Sequence, residues 1–193
     1  MIPALDSDSD LPSSSIPSAE RLSADARARL DAALNVRRYV DRLLTDGLEA
    51  DAIDVLVHVL PKRYAIAWGL ECLQRSGLGD PEADPVDRSA MAAAQRWLTD
   101  PTDENRRAAA DIADRLRYQT PGAWLAAAAG WSGGSLLPPD QPEVRPEASL
   151  TGDAVSASIK LAAAASPEQY PVRLRAFVLR ALETFATPSP AAE

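Results

Sequence analysis

Residues 120–135 read TPGAWLAAAAGWSGGS, and the way this stretch is read decides the fold class. Thr120 followed by Pro121 pairs an N-cap residue with the imino acid that suits a first helical turn. The alanines that follow have the highest helix propensity, and no β-branched residue interrupts them. Trp124, Leu125, Ala128 and Trp131 recur at helical spacing and are expected to face inward. Gly133 is expected to end the helix in the left-handed conformation, where glycine carries no Cβ penalty.

The same grammar extends in both directions. Asn35 is expected to cap a helix over 36–45 that Gly47 stops, with Val36, Tyr39, Val40, Leu43 and Leu44 as its apolar face. Helices are predicted over 49–60 and 62–75, divided by Pro61 and closed by Gly77. Asp84-Pro85 opens another to Leu98, with Met91, Ala94, Gln95 or its neighbours, and Trp97 inward. Asp100-Pro101 or Thr102 opens the next, striped by Ala108, Ala109, Ile112 and Leu116. A short amphipathic piece over 24–33 precedes them all. Residues 134–149 carry Pro138, Pro139, Pro142 and Pro146, which favour an extended path expected to be pinned by Leu136 and Leu137. A helix over 151–165 follows, then a capping-box signal at Ser166–Gln169 and a last helix to Phe185. No run alternates convincingly enough for a strand. The cap-proline-alanine pattern recurs without a fixed period, so an all-α, irregular bundle of eight or nine short helices is expected rather than a solenoid. Residues 21–186 form its single domain. The Ser/Asp/Pro-rich segment 1–20 and the tail 187–193 are expected to be disordered.

Composition bounds the function. The 193 residues carry 28 acidic and 20 basic side chains, a net charge of −8, which works against binding a phosphate backbone. No nucleic-acid partner is therefore expected. Cys72 is the only cysteine, which excludes an intrachain disulfide and suits a reducing cytoplasm. The N-terminus lacks the basic and apolar regions of a secretory signal, and no apolar run approaches the roughly 20 residues of a membrane helix.

Reactive side chains are few. His58 is the only histidine, in VLVHVLP, with no carboxylate written beside it; it reads as a packed or flanking histidine rather than a general base. The Trp131–Leu136 turn has neither the spacing of a hydrolase elbow nor the lysine of a phosphate loop, so a chain reversal explains its glycines. Glu71, close to an apolar stripe, needs an arginine partner. Arg37-Arg38, Lys62-Arg63 and Arg106-Arg107 read as solvated flanks. Asp6, Asp8 and Asp10, like Asp100, Asp103 and Glu104, lack the calcium-loop pattern. No catalytic residue, metal site or cofactor is assigned. The tryptophans 68, 97, 124 and 131 read chiefly as core. If a groove serves a protein partner, Trp68, Glu71 and Trp131 are its nominated residues.

Four phrases, LPKRYAIAWGLECL (60–73), AAAQRWLTDPTDENRRAAADIA (92–113), TPGAWLAAAAGWSGGSLLPPD (120–140) and LTGDAVSASIKLAAA (150–164), together resemble a bacterial all-helical family of unknown function associated with type VI secretion gene clusters. The resemblance spans roughly 24–186 and implies an all-α bacterial cytoplasmic protein; it carries over no catalytic residue. The expected role is a non-enzymatic interaction protein: an adaptor, chaperone or accessory factor. One alternative is an immunity or antitoxin-like protein masking a toxin. Another is a small enzyme using Glu71, His58 or the Ser132–Ser135 turn, which needs those groups to converge in one pocket and His58 to lie near an acidic or serine side chain.

Overall fold

A computed structural model describes residue 16 and residues 19–31, 34–138 and 140–185. Among them the chain is all-α, with nine α-helices and no strand. They are α1 (Ala24–Arg27), α2 (Val36–Thr45), α3 (Glu49–Val59), α4 (Lys62–Arg75), α5 (Pro85–Thr99), α6 (Asp103–Arg115), α7 (Pro121–Gly130), α8 (Leu150–Ala164) and α9 (Tyr170–Thr184). Short 3₁₀ turns occupy Ala19–Arg21 and Pro167–Gln169.

Five helix starts are fixed by side-chain caps that replace missing intrahelical acceptors. Ser23, Asn35, Asp84, Thr102 and Thr120 accept from the backbone N–H of Ala26, Arg38, Val86, Asn105 and Ala123 respectively. Gly47 and Gly77 adopt φ of +74° and +84° after α2 and α4, as helix-stopping glycines should. The first amphipathic piece is shorter than expected, ending at Arg27. The capping box at Ser166 is also absent: its side chain makes no cap bond, and a 3₁₀ turn leads into α9 with Pro171 in the first turn.

Helix α7 is the axis of the molecule. It packs against α4, α5, α6 and α8, and every residue from Leu125 to Gly130 is buried. A helix enclosed on all sides must be apolar all round, which is what its alanine run provides. Small side chains also let its neighbours come close. A Cβ on Gly69 of α4 would stand 2.9 Å from Leu125 Cδ1 and 3.1 Å from Val155 Cγ1 of α8. Helix α8 is the second hub and joins α7 to α3, α4 and α9. The inward residue of α5 is Ala93 rather than Gln95, which is exposed.

Polar groups inside the bundle are paired, as burial demands. Asp87 accepts from Gly122 N at 2.6 Å, Ser158 donates to Pro121 O at 2.8 Å, and Thr151 donates to Trp131 O at 3.0 Å. Asp51 accepts from Ser23 through both its N–H and its hydroxyl. Ile16 is buried against the core and Ala19–Arg21 form a 3₁₀ turn. The expectations for 1–15, 17–18 and 187–193, including Asp6, Asp8 and Asp10, lie outside the described residues.

Candidate functional site

Glu71, His58 and the Trp131–Ser135 turn lie in three separate surface depressions. Glu71 lies on α4 in a 460 Å³ hollow with Tyr64, Gln74 and Gln95. Its carboxylate accepts from Arg180 at 2.9 Å and from Arg75 at 3.0 Å, so the arginine partnership expected for it is present. Burial pushes this carboxyl up, but the two guanidinium groups outweigh it and hold it below the usual range. Trp68, nominated with Glu71 as a partner-binding residue, is not available for that role: it is only 2 % exposed and its indole donates to Phe177 O. A large aromatic ring on the inner face of α4 is simply core.

His58 does have a carboxylate neighbour, contrary to the expectation from its local sequence. Asp153, 95 positions away on α8, stands 3.2 Å from Nε2, while Nδ1 lies 2.8 Å from Asp54 O one turn back in α3. Gly152 makes this approach feasible, since a Cβ there would sit 2.8 Å from the imidazole ring. Arg21 also donates to Asp153. Both ring nitrogens therefore face protein acceptors, and the side chain is 5 % exposed. A general base needs a nitrogen directed at substrate. The 550 Å³ cleft beside it is also lined by Lys62, Glu147 and Ser149. Lys62 donates to Ser132 O, and burial lowers its ammonium below the usual value.

The third depression, 590 Å³, lies where α6, the end of α7 and the proline-rich strap 134–149 meet. Here the arginine pair departs from its expected place on a solvated flank. Arg106 is buried, and its guanidinium donates to Gly130 O at 2.7 Å, Ser135 O at 3.1 Å and Asp103. Arg107 donates to Asp103 and to Leu137 O. These contacts hold the strap to α6, while within the strap the Ser135 hydroxyl accepts from Leu137 N and Val144 N. Leu136 does not pin the strap as expected; it is 43 % exposed. The chain reversal uses Gly134 at φ +63° rather than Gly133, and a Cβ on Gly134 would strike the Arg106 guanidinium.

The rim of this cleft is aromatic. Tyr118 has its ring 5.5 Å from Trp124 and 5.6 Å from Trp131, and the two indoles meet edge to face at 6.3 Å. All three are half-buried, so Trp124 and Trp131 point outward more than the sequence pattern suggests. Arg117 and Tyr118 both sit in the left-handed region, at φ 51° and 55°. Two consecutive non-glycine residues there cost on the order of 1–3 kcal/mol each. Aromatic pairs return about 0.5–1.5 kcal/mol each beyond burial. Tyr118 also donates to Asp114, and its phenol is pushed up to about 12, by burial first and then by that carboxylate. Of the three residues nominated for a protein partner, Trp131 alone lies in this cleft, beside Ser135 of the turn 132–135. Tyr118 was missed, and Leu136 and Arg106 were given other places; the signal that could have found Tyr118 is a tyrosine two residues before the Thr120 cap of α7, beyond the last inward position of α6.

Together these features define an alanine-centred helical bundle whose surface carries a strapped aromatic cleft. The chain belongs to a family of unknown function, DUF6931, which matches residues 39–185. No curated protein and no solved structure matches it. Among the described residues no helix is long and apolar enough to cross a membrane.

Proposed function

We propose that this chain is a non-enzymatic interaction protein, an adaptor, chaperone or accessory factor that docks a protein partner in the cleft of Tyr118, Trp131 and Leu136. The observation that carries the reading is the half-exposed Trp124–Tyr118–Trp131 cluster, its Tyr118 on left-handed backbone, with an exposed leucine in the same cleft. Tryptophan, tyrosine and arginine are the residues that dominate binding energy at interfaces. Supporting it, Glu71, His58 and Ser135 line three different depressions instead of one. The hydroxyls of Ser132 and Ser135 are engaged with local main chain. The resemblance to a family linked with type VI secretion suggests a component of that machine as partner, in a bacterial cytoplasm.

A photo-cross-linking amino acid at Leu136 in native cells tests the reading against the same probe at Val172, which is 67 % exposed on α9. A discrete partner captured only at Leu136, and lost with Trp131→Ala, is expected. Capture that is equal at both positions, or indifferent to Trp131→Ala in a variant with an unchanged thermal melt, contradicts it. If Trp131→Ala melts early, the probe moves to Asp111 and Leu136→Glu replaces it. The acid excess of the chain supports a second reading, an immunity-like protein that masks a basic toxin; growth rescue by co-expression with a neighbouring toxin gene decides it.

A further inference from the structure

The cleft has a charge pattern as well as an aromatic rim. Asp111 and Asp114 stand three residues apart on α6, hence on one face, and both are exposed at its mouth. The positive charge in the same wall is already committed. Arg106 and Arg107 share Asp103, and their remaining bonds go to the carbonyls of Gly130, Ser135 and Leu137. The lining thus holds two guanidinium groups, both bonded to Asp103 and to carbonyls, and two carboxylates, Asp111 and Asp114, that face the mouth. The Asp114 carboxylate is also the acceptor for the Tyr118 hydroxyl, so acid and ring form one unit. Trp131 adds a second ring 5.6 Å from the tyrosine.

Resting on the docking reading above, we propose that the occupant is an arginine-bearing segment of the partner protein, flanked by aliphatic residues. Its guanidinium lies over the Tyr118 and Trp131 rings with Asp111 and Asp114 as counter-charges, while an adjacent aliphatic side chain covers Leu136. A planar guanidinium stacks on an aromatic face and still offers edge donors to a carboxylate. A compact ammonium does only the second, a glutamate is repelled, and a proline segment gains the rings but leaves the carboxylates unanswered.

The full chain, ¹⁵N-labelled, is titrated with the blocked peptide Ac-Ala-Leu-Arg-Leu-Ala-NH₂ and with versions carrying citrulline, lysine or glutamate at the centre. The Trp131 indole N–H, assigned by its loss in Trp131→Phe, is the reporter. The arginine peptide is expected to shift that resonance with millimolar or tighter affinity. Citrulline should weaken binding about five- to tenfold, the size of one close charge–ring or charge–charge contact at a surface. Asp111→Asn with Asp114→Asn should weaken the arginine peptide by a similar factor and remove most of its salt dependence, without changing the melt. Equal binding of the citrulline or glutamate peptide overturns the arginine assignment but leaves the cleft as a docking site. If no peptide moves the Trp131 resonance, the assignment is likewise overturned, and the Leu136 cross-link then judges the docking reading by itself.

Discussion

Replacing Arg106 with alanine strips one side chain from the carbonyls of Gly130 and Ser135 and from Asp103 together. Buried acceptors left unpaired cost about 1–3 kcal/mol each, so a loss on the order of 3 kcal/mol is expected in urea unfolding. Lysine should not rescue it, because one ammonium cannot reach three acceptors in a plane. A loss below about 1 kcal/mol, within the range of an ordinary surface substitution, contradicts this role. Gly122→Ala should cost about 1–3 kcal/mol by overpacking, since its Cβ would stand 2.6 Å from Asp87 Oδ1 and 2.8 Å from Asp87 O. Glu71 predicts a pH dependence. Its folded-state value lies below its unfolded one, so its contribution is fully present above about pH 4.3. That contribution is lost as pH falls through the lowered folded-state value. The stability gap between wild type and Glu71→Gln should therefore be constant near neutrality and close in acid; a gap that widens in acid contradicts the assignment. At this scale the sequence spoke unevenly. An arginine partner for Glu71 follows from one charge beside an apolar stripe. The Asp153 partner of His58 is 95 residues distant, and no local pattern announces a contact of that span.

Helix starts were legible because capping is a local, directional bond between residues three apart or fewer. Thr120 holds the cap read from its Thr-Pro pair, and of the two starts open for α6, Asp100-Pro101 or Thr102, it is Thr102 that caps. Ser149, which precedes α8, makes no cap bond. Thr120→Ala is therefore expected to cost about 1 kcal/mol and Ser149→Ala close to nothing, by thermal melts of the two variants. Similar losses at both positions contradict the assignment of caps. The strap was legible only as irregular. Four prolines exclude a helix, but nothing in 134–149 itself states that Arg106 and Arg107, some 30 residues earlier, supply its donors. Likewise an alanine run reads as a good helix from its propensity, while its place at the centre depends on which four helices surround it.

For the whole molecule, the all-α class followed from periodicity and punctuation, and the coordinates agree. The cleft did not follow, because it is made by three segments whose meeting is a tertiary event. Two of its aromatic residues sit where helical spacing suggests core. Cooperativity of the bundle has its own probe in Cys72. This thiol is 1 % exposed on α4, and burial, with the Glu71 charge second, raises it well above its usual value. Labelling of Cys72 by a thiol reagent should thus proceed only through global opening, its rate tracking stability across the Arg106 and Gly122 variants. Labelling at the rate of a free thiol in native buffer contradicts a sealed core. The claim that this fold presents one docking surface and uses its helices otherwise to pack is tested most directly by hydrogen–deuterium exchange of the full chain, alone and with its cross-link-identified partner. Protection confined to 114–119 and 130–144 is predicted. Protection that instead falls on the outer face of α9 or around His58 and Lys62, with the cleft unchanged, would contradict it.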